Sequence, residues 1–94
     1  MSKAELIVRH KEATADGFII EVVIWRLSKP LPGCRHFFKY RLFFGTLEGD
    51  CILRYDNERG KGDHRHVGDR EEPYRFTTVK ALVTDFRRDV GEMG

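Results

Sequence analysis

Apolar and polar residues alternate along the first half of the chain, which is the pattern of half-buried β-strands. Asp16-Gly17 and Glu48-Gly49 supply tight turns between successive strands, since glycine accepts a positive φ. Lys29 to Gly33 contains two prolines and predicts a longer connection, because proline cannot donate to a strand ladder. Consecutive strands with short turns predict an antiparallel meander. The predicted strands cover residues 3–11, 18–26, 36–46 and 51–56.

The alternation stops after Asp56. Residues 57–72 contain three glycines, many charges and the single aliphatic side chain Val67, so they predict a long functional surface loop. Beyond Pro73, a helix is predicted over about 78–90, with Thr77 or Thr78 as its cap. Its apolar stripe falls at helical spacing and consists of Val79, Leu82, Val83, Phe86 and Val90. The prediction is one α+β domain over residues 1–94: a four-stranded antiparallel meander with one C-terminal helix packed on one face.

Composition narrows the function only a little. The net charge of +2 over 94 residues is too small to indicate a polyanionic partner by itself. No apolar run reaches the roughly 20 residues of a membrane-spanning helix. Cys34 and Cys51 have no paired spacing and are expected to be reduced thiols. The first residues lack the pattern of a secretory signal, so a cytoplasmic protein is expected.

The helix can cover only one face of the predicted sheet, and the apolar set that includes Ile20, Val22 and Ile24 is the face it should cover. The other face combines cations with aromatic rings, a combination that suits single-stranded nucleic acid. A homodimer interface and a plain solvated face remain alternatives for it. The residues predicted to bind nucleic acid are Arg9, Lys39, Arg41, Arg54, Trp25, Phe37 and Phe43.

Two histidines one residue apart, His64 and His66, point to one side of an extended chain. Imidazoles exchange protons near neutral pH, and RNA carries its own nucleophile, the 2′-hydroxyl. Cleavage without a metal would need a base, an acid and cations for the phosphate. The candidate catalytic residues are His64, His66, Asp56, Asp63, Arg59, Lys61 and Arg75.

Other interpretations of this segment stay open. His64 and His66 with Asp56 or Asp63 would also offer zinc or manganese their usual donors. A solvated loop with paired charges would have no chemistry at all. The main prediction needs no cofactor and no metal. His10 and His36 lie in predicted strands, where structural roles are expected.

The order of these features resembles the TumE family of small toxin–antitoxin proteins over most of the chain. The specific part is Tyr55-Asp56-Asn57 at the end of the last predicted strand, His64 and His66, and Pro73 before the helix. The resemblance implies a growth-inhibiting toxin that a helix-turn-helix antitoxin holds inactive. By analogy with other toxins of this size, it also implies cleavage of RNA.

Two functions follow from different classes of protein. The first is the toxin of a type II toxin–antitoxin pair, acting as a metal-independent endoribonuclease through the loop histidines. The alternative is a non-catalytic module that binds protein or nucleic acid through its open sheet face. Whether the chain is an enzyme is the question that separates them.

Overall fold

The computed structural model describes residues 4–93, which fold into one antiparallel sheet and one helix. The strands are hydrogen-bonded in chain order, so each strand neighbours the one before it. This is the expected α+β arrangement, with a C-terminal helix packed on an antiparallel sheet. The elements are β1 (Ala4–Ala13), β2 (Phe18–Leu27), β3 (Phe38–Thr46), β4 (Cys51–Glu58), β5 (Gly62–Val67), β6 (Arg70–Pro73) and α1 (Val79–Met93).

The sheet has six strands, so the prediction of four was wrong. The predicted loop over 57–72 contains the end of β4 and all of β5, and β6 begins within it. Gly60 and Gly62 take φ values of 83° and 79° at the β4–β5 connection, where a side chain would be strained. The sequence pattern did not predict β5 and β6 because both faces of these strands carry polar residues. Apolar and polar positions therefore do not alternate along them.

The helix covers one face of the sheet, as predicted. Alternate residues of β2, β3 and β4 point toward α1 and form an apolar core with it. Helix residues Leu82 and Phe86 are fully buried there. The cluster of buried core residues comprises Ile20, Val22, Ile24, Tyr40, Leu42, Phe44, Leu53, Tyr55, Leu82 and Phe86.

Polar contacts fix both ends of α1. At the start, Thr78 Oγ1 accepts a hydrogen bond from the Ala81 amide at 3.0 Å, which satisfies one of the unpaired donors of the first turn. Near the other end, buried Asp89 accepts hydrogen bonds from the Tyr55 hydroxyl and from Arg65 Nη1, the latter at 2.8 Å. Asp89 therefore ties the helix to β4 and β5.

The long β2–β3 connection folds back onto the β4–β5 turn. The Gly60 amide donates to the Pro32 carbonyl at 2.6 Å. A Cβ at Gly33 would approach the backbone of Gly60 and Gly62 to 3.1–3.2 Å, so a small residue permits this close approach. The contact brings Cys34 and His36 to the start of β5.

Within residues 4–93, no helix combines the length and the apolar character that crossing a membrane requires.

Candidate functional site

The two histidines lie on the open face of the sheet, opposite the helix-covered face. In the β4–β5 register Asp56 pairs with His64, and Arg54 pairs with His66. Directly paired residues of antiparallel strands share a face with Cβ atoms about 4.5–5.5 Å apart. The two-residue spacing of His64 and His66 therefore places both imidazoles beside two polar residues of β4.

A buried carboxylate faces both imidazoles. Asp56 Oδ1 lies 3.7 Å from His64 Nε2 and 3.8 Å from His66 Nε2. On the other side of the rings, Glu71 Oε1 lies 3.9 Å from His64 Nδ1 and Glu71 Oε2 lies 3.9 Å from His66 Nδ1. The rings are nearly perpendicular, with centroids 5.6 Å apart. Asp56, His64, His66, Arg54 and Glu71 are called the histidine cluster below.

Arg54 supplies the positive charge of the histidine cluster. Its Nη2 lies 3.1 Å from His66 Nε2, and its Nε lies 3.0 Å from Asp56 Oδ2. Because a guanidinium can only donate, the contact with His66 requires a lone pair on Nε2. Arg54 Nε and Asp56 Oδ1 are buried, and neither finds a hydrogen-bond partner of good geometry within residues 4–93. Unsatisfied buried polar atoms are uncommon in folded proteins, so these two atoms distinguish the histidine cluster within residues 4–93.

The histidine cluster continues into the predicted nucleic-acid surface. Arg41 pairs with Asp56 across β3 and β4, and Phe43 pairs with Arg54. Phe43 is only 8 % exposed, and its ring lies over Gly45, where a Cβ would come within 2.5 Å of it. Phe43 is thus unable to offer a ring to a base. Arg41 covers it instead, with its guanidinium carbon 5.0 Å from the ring centre.

Trp25 is partly exposed on this face. It borders a pocket of about 230 Å³. The residues lining that pocket are Val23, Trp25, Lys39, Tyr40 and Arg41. Arg9 pairs with Val23 and belongs to the same face. Phe37 precedes β3 and is 47 % exposed.

The remaining predicted catalytic residues do not gather around the imidazoles. Arg59 and Lys61 are exposed at the β4–β5 turn. Lys61 Nζ lies 3.9 Å from Glu58 Oε2, and Lys61 lines a pocket of about 300 Å³ together with His64. Arg75 is exposed on the segment between β6 and α1. Asp63 lies on the helix-covered side.

Asp63 organises a separate group with Cys34, His36 and Tyr40. Its Oδ2 accepts from the Tyr40 hydroxyl at 2.6 Å and contacts His36 Nε2 at 2.8 Å, while Oδ1 accepts from Cys34 Sγ at 3.5 Å. The His36 ring stacks on Phe76 with a centroid separation of 3.9 Å. These donors and acceptors are paired, as in a structural network. This set is called the Asp63 network below.

The thiol in the Asp63 network is not activated. Burial and the nearby Asp63 carboxylate raise the pKa of Cys34, which disfavours the thiolate needed for nucleophilic attack. Burial and hydrogen bonding to Asp63 likewise raise the pKa of Tyr40. Cys34 and Cys51 are both free thiols.

Sequence reasoning missed Glu71 and Arg65. Glu71 follows β5 in a strand that the pattern did not reveal, and its pairing with His66 is visible only in the register. Arg65 was expected to point away from the histidines, but its partners Glu72 and Asp89 were not foreseen. Had the β5–β6 hairpin been predicted, its register would have placed the acidic residue Glu71 opposite His66. That pairing is the signal that could have identified Glu71.

Within residues 4–93, two groups have the donors for a metal ion. In each, one ligand atom per residue lies within 4.8 Å of the others: Asp56, His64 and His66 on the open face, and Cys34, His36 and Asp63 in the network. The open-face group can also exchange protons, because it combines two imidazoles with a carboxylate and a guanidinium.

Comparison with known proteins identifies the family. No curated protein and no solved structure matches the chain. A family model described as Toxin TumE matches residues 3–93, which include every element of the fold and all five residues of the histidine cluster. The match covers nearly the whole chain, and the chain belongs to the TumE toxin family.

Proposed function

We propose that this TumE-family toxin is a metal-independent endoribonuclease that binds RNA on the open sheet face and cleaves it at the histidine cluster. The observation that supports this most is the register of β3, β4 and β5. It places Arg41, Asp56 and His64 in one row across the sheet, and Phe43, Arg54 and His66 in the next. The predicted RNA-binding surface and the predicted catalytic histidines are therefore parts of one surface.

The chemistry uses the 2′-hydroxyl of the substrate. His66 takes the proton of that hydroxyl, the oxygen attacks the adjacent phosphorus, and the bond to the 5′-oxygen breaks. His64 gives a proton to the departing 5′-oxygen, so the products are a cyclic phosphate and a free 5′-hydroxyl. His66 is assigned as the base because its Nε2 carries the lone pair to which Arg54 Nη2 donates at 3.1 Å. Arg54 must turn from this nitrogen toward the phosphate before the lone pair can take the proton.

The charged neighbours support these roles. Arg54 lies close enough to the imidazoles to stabilise the negative charge that builds up on the phosphate. Asp56 places a negative charge 3.7 Å from His64 Nε2 and 3.8 Å from His66 Nε2. His64 lines a pocket of about 300 Å³, and the other lining residues are Lys61, Asp63, Glu71, Glu72 and Pro73.

The approach of the RNA strand follows from the neighbouring surface. Trp25 offers a ring to one base, and Lys39 and Arg41 offer charges to the phosphates beside it. Strand spacings of about 4.8 Å put the Trp25 strand, β2, roughly 14 Å from the His64 strand, β5. The bound strand would thus run across the sheet toward the cluster.

The test is cleavage of a defined single-stranded RNA by the purified chain in excess chelator. His64→Ala and His66→Ala should each lower the rate about 10²–10⁴-fold, the usual contribution of a positioned acid or base. His10→Ala is the matched control, because His10 is an exposed histidine on β1 whose only close partner among residues 4–93 is Glu12. A substrate with 2′-deoxyribose at the cleaved position should resist the native chain.

Full activity of the His64→Ala/His66→Ala double variant would contradict the proposal. Tight RNA binding without cleavage would instead favour the alternative, a non-catalytic module that uses the same face.

An antitoxin partner follows from membership of the toxin family. We propose that it is a helix-turn-helix protein that covers the open face, where cations and a partly exposed tryptophan lie together. Lys39→Glu and Arg41→Glu should then weaken the complex at least about tenfold. Lys80→Glu and Arg87→Glu on the exposed side of α1 are the controls, and an effect confined to them would contradict the assignment. A homodimer through the open face would show as a doubled mass in gel filtration.

A further inference from the structure

We infer that Asp56, His64 and His66 form a binding site for a transition-metal ion, with Zn²⁺ the best match to their chemistry. Two imidazole nitrogens and one carboxylate oxygen are a common set of protein ligands for zinc and leave a fourth position open. One ligand atom from each residue lies within 4.8 Å of the other two.

The buried carboxylate is the strongest part of this argument. Asp56 is only 8 % exposed, and its Oδ1 has no hydrogen-bond partner within residues 4–93. A buried carboxylate oxygen without a donor is costly, and a bound cation would satisfy it. Ligand atoms about 2.0 Å from a tetrahedral zinc ion are roughly 3.3 Å apart. The oxygen already lies 3.7 and 3.8 Å from the two Nε2 atoms, so each of these two separations needs to contract by about half an ångström.

A carboxylate lies beside the second nitrogen of each imidazole, as is usual for histidines that bind zinc. Histidines that bind a metal through one nitrogen usually direct the other toward a carboxylate or carbonyl. Glu71 lies 3.9 Å from both Nδ1 atoms, with one oxygen for each ring. It can therefore orient both rings while their Nε2 atoms face the ion.

The positive charge of Arg54 weakens binding of the metal ion. Its Nη2 lies 3.1 Å from His66 Nε2, the nitrogen that would bind the metal. The guanidinium must turn away for the ion to enter, and its side chain is 28 % exposed and borders solvent. Arg54→Gln should consequently bind zinc several-fold more tightly, since it removes a like charge and a competing donor.

Metal binding requires only these three donors and is independent of RNA cleavage. One consequence does rest on the proposed function: zinc would occupy the two imidazoles assigned to proton transfer and inhibit the reaction. Zinc binding by a chain that never cleaves RNA would leave the site standing and refute the cleavage proposal. If the chain cleaves RNA in chelator but shows no saturable zinc binding, the cleavage proposal is supported and the metal site is refuted.

The experiment is calorimetric titration of the purified chain with zinc chloride. One ion per chain is expected, with roughly 100-fold weaker binding for His64→Ala and His66→Ala. Glu71→Gln should weaken binding about 10–100-fold, the usual effect of losing a carboxylate that orients a ligand. Cys34→Ser is the matched control and should bind zinc as the native chain does, because the Asp63 network is the other group with metal donors in residues 4–93.

A second measurement needs no substitution of a buried residue. Cobalt(II) bound to two imidazoles and a carboxylate should show weak visible bands without the intense ultraviolet band of a cobalt–thiolate bond. A thiolate band on the native chain, or zinc binding that Cys34→Ser abolishes and His64→Ala spares, would overturn the inference. So would the absence of saturable binding by the native chain.

Discussion

The carboxylates on the two faces of the sheet differ in how completely they are hydrogen-bonded. On the helix-covered face, Asp63 accepts from three donors through both of its oxygens and Asp89 accepts from two through Oδ2, so these carboxylates hold elements of the fold together. On the open face, Asp56 is equally buried but keeps one oxygen without a partner beside two imidazoles. Satisfied polar groups stabilise a structure, whereas the unsatisfied oxygen of Asp56 is available to a ligand or a reaction, as proposed above.

The sharpest test of this contrast is the same isosteric change on each face. Asp63→Asn should lower the free energy of unfolding by about 2–4 kcal/mol, because an amide cannot accept from His36, Tyr40 and Cys34 together. Asp56→Asn should change it by less than about 1 kcal/mol, because one of the oxygens accepts no hydrogen bond. Urea denaturation measures both values.

The same two variants should rank in the opposite order when the rate of RNA cleavage is measured. RNA cleavage should fall strongly in Asp56→Asn and stay close to the native rate in the folded fraction of Asp63→Asn. If Asp56→Asn is the more destabilising variant and cleaves normally, the distinction between the faces is wrong.

The free energy of unfolding above pH 10 tests a hydrogen bond on the helix-covered face alone. Burial and the hydrogen bond to Asp89 raise the pKa of Tyr55 from its ordinary value of 10.0 to about 12. The neutral hydroxyl is thus favoured in the folded chain, and this contribution to stability is complete below pH 10. It is lost as the pH rises toward 12 and amounts to about 2–3 kcal/mol.

The matched variant is Tyr55→Phe, which keeps the ring against Phe86 and removes only the hydroxyl. Its free energy of unfolding should fall less steeply than that of the native chain between pH 10 and pH 12. The difference between the two curves isolates Tyr55 from the other buried tyrosines. Parallel curves would mean that Tyr55 is not the group that titrates.

Trp25 tests whether the open face binds nucleic acid at all. Trp25→Ala should weaken binding of single-stranded RNA by about 1–3 kcal/mol, the contribution of one stacked base. Phe43→Leu is the control and should have little effect, because that ring is buried against Gly45. Fluorescence anisotropy with a labelled oligonucleotide measures both affinities, and a larger loss in Phe43→Leu would contradict the stacking role.

β2, β3, β4 and the helix could be predicted because burial on one side leaves a readable period. β1 was predicted from its alternating sequence, although Val8 is its one partly buried residue. In β2, buried Ile20, Val22 and Ile24 alternate with less buried residues, and the stripe containing Leu82 and Phe86 repeats at helical spacing. In β5, His64 and Arg65 are both polar and are stabilised on opposite faces by charged partners. No hydrophobic period marks such a strand, so the sequence suggested a loop.

The candidate site was predictable in its residues but not in its location. The spacing of His64 and His66 indicated that they act together, and Asp56 was among their proposed partners. Their position beside Arg41 and Arg54 depends on the register of β3, β4 and β5, which is a long-range property. Asp63 was predicted to belong to the same group as a carboxylate of this segment, but adjacent residues of a strand point to opposite faces, and β5 directs Asp63 and His64 apart.

The smallest expected effect concerns the helix that makes the two faces different. Thr78→Ala removes the side-chain acceptor of the Ala81 amide and should lower the free energy of unfolding by about 1 kcal/mol. Thr77→Ala is the control, and its effect should stay within about 0.5 kcal/mol, as at ordinary exposed positions. RNA cleavage should be unchanged in both variants, because the cap lies on the side of the sheet away from the histidine cluster. A loss of cleavage in Thr78→Ala without a loss of stability would mean that the covered face takes part in the reaction.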